Sequence, residues 1–260
     1  MNDNTAAANR VALVTGSAGG IMRGVCVSLA RRGYAIVAHH RPERGNADET
    51  IAAVRAAGAQ CVAFGADVAT SAGAAGLLEK ASTAFGRLDV LVCGVGPMIV
   101  KDLFDTAAGE FDTMVADNLA SVFHCIKAAL PVMRRQSHGR IVAFGMTGSE
   151  STQGFRHLSA YVAAKAGVVA LMKTLALEEA PHGITCNVVC PGDIRDKNAD
   201  RATALTRREY RNPTTRPGSW EDIGDAVAYL ASDEASFVNG AVLTVSGGWQ
   251  GVFEKSSRWP

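Results

Sequence analysis

Seven short apolar runs, at residues 11–15, 35–39, 60–64, 88–93, 140–145, 184–189 and 241–246, alternate with helical patterns along nearly the whole chain. The helical patterns cover 20–32, 46–57, 71–85, 110–136, 158–180 and 220–232. Runs such as Val11-Ala12-Leu13-Val14 lack polar alternation, which marks strands buried on both faces. Strands of that kind separated by helices are expected to form a parallel sheet with right-handed crossovers and helices on each side. The expected fold class is therefore α/β, a doubly wound sheet of about seven strands. Ligands of such sheets bind beyond the carboxyl ends of the strands, where the strand order reverses.

Other sequence properties narrow the class. With 260 residues and neither linker nor repeat, the chain suits one domain spanning 1–260. A formal net charge of +1 gives no electrostatic case for nucleic acid. No apolar stretch is read as long enough to cross a bilayer, and Met1 to Arg10 lacks a signal-peptide core, so a cytoplasmic protein without membrane contact is expected. The six cysteines, at 26, 61, 93, 125, 186 and 190, are scattered through apolar runs. Neither they nor the histidines have metal-ligand spacing, and no metal is expected.

Two local patterns carry chemistry. After the first strand, Thr15-Gly16-Ser17-Ala18-Gly19-Gly20-Ile21 leads into a helix. A glycine turn at a helix N-terminus directs free N–H groups and the helix dipole at one point, forming an anion site. Farther on, Tyr161 and Lys165 stand four residues apart, on one helix face. An ordinary phenol, with a pKa of about 10, is a poor acid at neutral pH. A neighbouring ammonium favours the phenolate, so the pair is suited to proton exchange with a carbonyl oxygen.

The order Thr-Gly-x-x-x-Gly-Ile, Ala66-Asp67-Val68, Asn118, Tyr-x-x-x-Lys, Pro191-Gly192 and Gly247-Gly248-Trp249 resembles the short-chain dehydrogenase/reductase family over about residues 10 to 250. The closest likeness is to its 3-oxoacyl-carrier-protein-reductase-like members. The resemblance implies a Rossmann-type fold and reduction of a ketone to a secondary alcohol. Tyr161 would act as general acid, Lys165 would lower its pKa and hold the nicotinamide ribose, and Asn118 would extend the proton relay through a water. Gly16, Ser17, Gly20, Ile21, Asp67, Val68, Gly94, Pro191, Gly192 and Ile194 would line the cofactor, with Asp67 on the adenine amine. The second strand ends His39-His40-Arg41 with no carboxylate before Glu43. Arg41 offers a planar fork to a 2′-phosphate, so NADPH is expected ahead of NADH, although the family's other basic position is Gly19 here.

Departures from the family pattern are equally informative. Met22 stands where the third glycine is usual, and Cys93-Gly94-Val95-Gly96 replaces Asn-Asn-Ala-Gly. Asp193-Ile194-Arg195-Asp196 lacks the threonine that commonly follows Pro-Gly. Aligned from the fifth strand, Met146 falls at the catalytic serine, but the loop to Tyr161 is about two residues longer than usual. Thr147, Ser149 or Ser151 could reach in, with Ser149 the leading candidate because it precedes Tyr161 by twelve residues. A lid is expected at 193–217, where seven cations against four carboxylates would suit an anionic substrate, an acyl carrier's arm included. The long helical patterns imply a homo-oligomer, tetramer or dimer. A second reading is a divergent non-reductase that binds a nucleotide or partner, or catalyses non-redox chemistry. Met22, Cys93-Gly94 and Met146 favour that reading, whereas Asn118, Tyr161 and Lys165 favour reduction.

Overall fold

The computed structural model describes residues 10–207 and 212–249. All seven expected strands are present: β1 Val11–Val14, β2 Ala35–His40, β3 Cys61–Gly65, β4 Val90–Cys93, β5 Gly139–Phe144, β6 Ile184–Pro191 and β7 Val242–Val245. They form one parallel sheet in the order β3-β2-β1-β4-β5-β6-β7. The order reverses between β1 and β4, where crossovers leave the sheet in opposite directions. This is the Rossmann-type arrangement.

The helices are α1 Gly20–Ala30, α2 Asp48–Ala56, α3 Ser71–Phe85, α4 Ala108–Val115, α5 Ser121–Gln136, α6 Ser159–Glu179, α7 Arg201–Leu205 and α8 Trp220–Leu230. Successive strand residues feed opposite faces. Val11 and Leu13 pack with residues of α3, α5 and α6 in one buried layer, while Ala12 and Val14 join α1 and α8 in the other. The pattern expected at 110–136 is interrupted: a π-helical turn, Ala116–Ala120, separates α4 from α5. Such turns often sit at functional sites, and this one contains Asn118.

One expectation is corrected. The stretch Ser159–His182 has a mean hydropathy of 1.5 and is long enough to cross a bilayer. In the fold its apolar content serves the sheet, since Val168, Val169, Met172 and Leu175 pack into the core. The expected lid contains α7 and docks on α8, with Arg216 and Arg201 both paired to Asp222. Residues 208–211 of that lid lie outside the described residues.

Helices α1 and α8 approach closely because glycine sits on both sides of the contact. A Cβ on Gly24 would lie 2.5 Å from Trp220 Cβ, and one on Gly224 would collide with Ser28 Oγ. Gly24→Val should therefore cost about 1–3 kcal/mol by overpacking, seen as a lower urea midpoint. An unchanged midpoint would show that the two helices tolerate separation.

Candidate active site

The cleft opens at the sheet's carboxyl edge, over the switch between β1 and β4. Its volume is about 410 Å³, and its walls include Gly16, Gly20, Ile21, Gly94, Tyr161 and Lys165. Pro191, Gly192 and Ile194 close another side. Two strand ends are tied together at its floor. Gly94 N donates to Thr15 Oγ1 at 3.0 Å, and Thr15 N donates to Val92 O at 2.9 Å. Gly16 adopts φ +72°, and a Cβ there would stand 3.2 Å from the Gly94 backbone. The required turn and close approach explain glycine at this position.

His39 fixes the same turn from below. Its Nδ1 accepts from Gly16 N at 3.0 Å, and its Nε2 donates to Ala66 O at 3.0 Å, an arrangement that assigns the neutral tautomer. Burial lowers the imidazole pKa and preserves that state. Ser17, expected at the cofactor, is instead fully buried. Its hydroxyl donates to Val14 O at 2.9 Å and accepts from His39 N at 2.9 Å. Its side chain thus builds the turn. Val68 likewise belongs to the core.

Two departures noted in the sequence prove to be one feature. Met22 turns toward Gly94, and a Cβ on Gly94 would collide with its Sδ and lie 2.5 Å from its Cγ. The thioether fills the space that a side chain at position 94 would need. Methionine at 22 and glycine at 94 are therefore sterically interdependent.

Lys165 is buried, donates from Nζ to Phe144 O at 3.0 Å, and lies 5.5 Å from the Tyr161 ring centroid. Burial lowers its pKa to about 8 and raises that of Tyr161 to about 12. In this state desolvation raises the phenol, contrary to the lowering by Lys165 expected from the sequence. Asn118 donates to Pro97 O at 3.0 Å, leaving its buried Oδ1 without a partner among the described residues. A Cβ on Gly96 would stand 2.9 Å from both Asn118 Oδ1 and Lys165 Nζ. Gly96 thus keeps open the space joining an orphaned acceptor to an ammonium, which fits a bridging water.

Ser149 does not reach this group. Its hydroxyl donates to Met146 O at 2.7 Å and accepts from Met146 N at 3.2 Å. Packed between Gly145 and Cys190, it lies 2.9 Å from where a Gly145 Cβ would stand. It shapes the loop. Met146 and Thr147 line the cleft instead, and Thr147 Oγ1 donates to Pro191 O at 3.1 Å. Met146 thus stands where alignment from β5 puts it, and the loop hydroxyl that lines the cleft is that of Thr147.

At the far end, Arg41 is already paired. Nη2 lies 2.5 Å from Asp67 Oδ1 and 2.8 Å from Asp117 Oδ1. This contact with Arg41 holds the Asp67 carboxyl below its usual pKa. Asp117 precedes Asn118 in the π turn, a placement no motif signalled. Lys197 was also missed because the lid's course was not legible. Its Cβ lies 3.3 Å from where a Gly20 Cβ would stand, so it covers the glycine turn, and it has no ion pair among the described residues. The N–H groups and Lys197 suit a pyrophosphate, and the orphaned Asn118 oxygen suits a water-linked relay; the residues present fit a nicotinamide dinucleotide.

A proton-transfer pair facing a dinucleotide cradle defines an NAD(P)-dependent oxidoreductase that acts on the CH–OH/C=O couple. Residues 16–250 match the family model described as "Enoyl-(Acyl carrier protein) reductase". The chain is 36% identical over 244 residues to the 3-oxoacyl-[acyl-carrier-protein] reductase FabG of Escherichia coli K12, covering 92% of this chain and 96% of that protein. It is 35% identical over 247 residues to FabG of Staphylococcus epidermidis, covering 92% and 98%. The crystal structure of levodione reductase superposes with a TM-score of 0.83 at 30% identity, covering 93% of this chain and 97% of that one. The chain belongs to the short-chain dehydrogenase/reductase family.

The Met22–Gly94 contact makes a sharp test. Gly94→Asn alone should lose stability and cofactor binding, and Met22→Gly should restore both when added to it. A double-mutant cycle in thermal unfolding should show coupling of about 0.5–3 kcal/mol. Additive effects would show that the two positions are independent.

Proposed function

We propose that the protein is an NADPH-dependent reductase converting a ketone to a secondary alcohol. The observation that carries this reading is that buried Lys165 and the orphaned Asn118 oxygen meet at Gly96, with Tyr161 beside Lys165 in the same cleft. Tyr161 would donate its proton to the substrate oxygen, and Lys165 and Asn118 would pass a replacement inward through the space at Gly96. The bound nicotinamide supplies hydride. Gly16, Gly20, Ile21 and Lys197 would hold the pyrophosphate, and Pro191, Gly192 and Ile194 the nicotinamide end. Thr147 would polarise the carbonyl in place of the absent serine by turning its hydroxyl from Pro191 O.

The direct test is ketone-dependent oxidation of NADPH. Tyr161→Phe should retain cofactor affinity but lose turnover by about two to four orders of magnitude. Full turnover in that variant would remove the proposed acid. Thr147→Val should lower kcat by about a hundredfold if its hydroxyl supplies the second hydrogen bond. Ser149→Ala should act on stability through the loop. The reverse ranking would return the role to Ser149.

For cofactor choice, Arg41 would exchange its carboxylate partners for a 2′-phosphate. Arg41→Ala should weaken NADPH alone, Lys197→Ala should weaken NADPH and NADH alike, and Asp117→Asn should tighten NADPH by releasing Arg41. Equal loss of both cofactors in Arg41→Ala, measured by titration, would make Arg41 structural. The six cysteines are free and buried, which favours a reducing compartment such as the cytoplasm. Exposed Phe111 and Phe123 before and within α5, with Leu177 on α6, favour self-association as a dimer or tetramer.

A further inference from the structure

A second cavity, of about 540 Å³, adjoins the cleft and shares Thr147 and Trp249 with it. Its remaining walls come from the loop after β5 and the end of β7: Glu150, Ser151, Gln153, Thr244 and Ser246, with glycines between them. The loop contribution comes from the stretch that directly follows Met146. Gly148 at φ +91° and Thr152 at φ +54° turn the chain out and back around the short helical turn Ser149–Ser151. Glu150 Oε2 accepts from Gly148 N at 3.0 Å, which anchors the carboxylate at the cavity wall.

The wall chemistry is selective. Trp249 is the one large apolar side chain among the described lining residues. An acyl chain would find little apolar surface to bury and would desolvate Glu150 without compensation. An anionic group would meet the Glu150 charge, with no lysine or arginine among the described lining residues. Of the described lid cations, Arg195, Arg201, Arg207 and Arg216 pair with carboxylates, and Lys197 lies over the glycine turn of the neighbouring cleft. Groups rich in hydrogen-bond donors, such as hydroxyls or an ammonium, match a carboxylate, an amide and four hydroxyl side chains.

Building on the ketone-reductase reading, we infer that this annex binds the far part of the substrate and selects a donor-rich, non-anionic group over an acyl chain. The carbonyl sits between Tyr161 and Thr147, and the rest of the molecule passes Thr147 into the annex. Glu150 is thereby a specificity-determining residue, remote from proton transfer.

Erythrulose, a four-carbon amino ketone, butanone and an acetoacetyl thioester should be compared as substrates of the full chain with NADPH, in wild type and Glu150→Ala. Erythrulose or the amino ketone should exceed butanone in kcat/KM by about tenfold or more. Glu150→Ala should abolish that preference by raising KM for the donor-rich ketone. A hydroxyl-reading annex favours erythrulose and retains part of the preference in Glu150→Gln; an ammonium-reading annex favours the amino ketone and loses it in Glu150→Gln. Preference for butanone or the thioester, or indifference to Glu150→Ala, would overturn the inference. Calorimetric binding of erythritol and butanol to the NADP⁺-loaded protein gives an arm independent of turnover. Erythritol binding that needs Glu150, in a protein that reduces none of the ketones, would sustain the annex and defeat the reductase reading; equal affinity for the two alcohols would defeat the annex alone.

Discussion

The close approach of two strand ends, β1 at Gly16 and β4 at Gly94, is the constraint on which the rest of the site depends. The crossovers leaving them feed opposite faces of the sheet, α1 on one and the α4–α5 segment on the other. A gap must open where they part, and backbone groups there have no further strand to bind. Thr15 ties the two ends, and neutral His39 holds the turn on the β2 side. Met22 then fills the volume beside Gly94. The cofactor cradle is thus set by packing at the sheet edge before any ligand contact is considered.

Around that cradle, burial does most of the electrostatic work. Lys165 lies in a nearly solvent-free position that lowers its pKa, while the same desolvation raises the phenol of Tyr161. Both shifts favour the neutral forms, so Tyr161 keeps its proton at neutral pH. The π turn delivers Asn118 from one side of Gly96 and α6 delivers Lys165 from the other. Asp117, in the same π turn, pairs with Arg41, so the cation expected to read the cofactor's ribose is held by the same local backbone feature that carries Asn118.

Much of this was legible in the residues. The strands announce themselves because burial on both faces requires unbroken apolar runs, as in Val90-Leu91-Val92. Tyr161 and Lys165 follow from helical spacing. What failed to show depended on contacts distant in sequence. Ser17 carries a hydroxyl at a phosphate turn, yet its partner is the backbone of β2. Ser149 has the right distance from Tyr161 along the chain, but its Oγ closes a local ring onto Met146 that no count of residues reveals. Helix 110–136 reads as continuous because a π turn needs one extra residue per turn and no special composition. Arg41 looked free until the fold brought Asp117 beside it. Lys197 lay in a polar lid whose path depends on docking to α8.

In the proposed reaction this cleft delivers hydride to a ketone carbon while Tyr161 supplies the proton. Incubating the protein with NADPH deuterated at the nicotinamide transfer position and a reducible ketone, then locating the label by mass spectrometry and NMR, tests it most directly. The account predicts one deuterium on the carbinol carbon in a single stereochemical sense, at a rate that collapses in Tyr161→Phe. Product formed without deuterium at that carbon, or label transferred equally well by Tyr161→Phe, would contradict it.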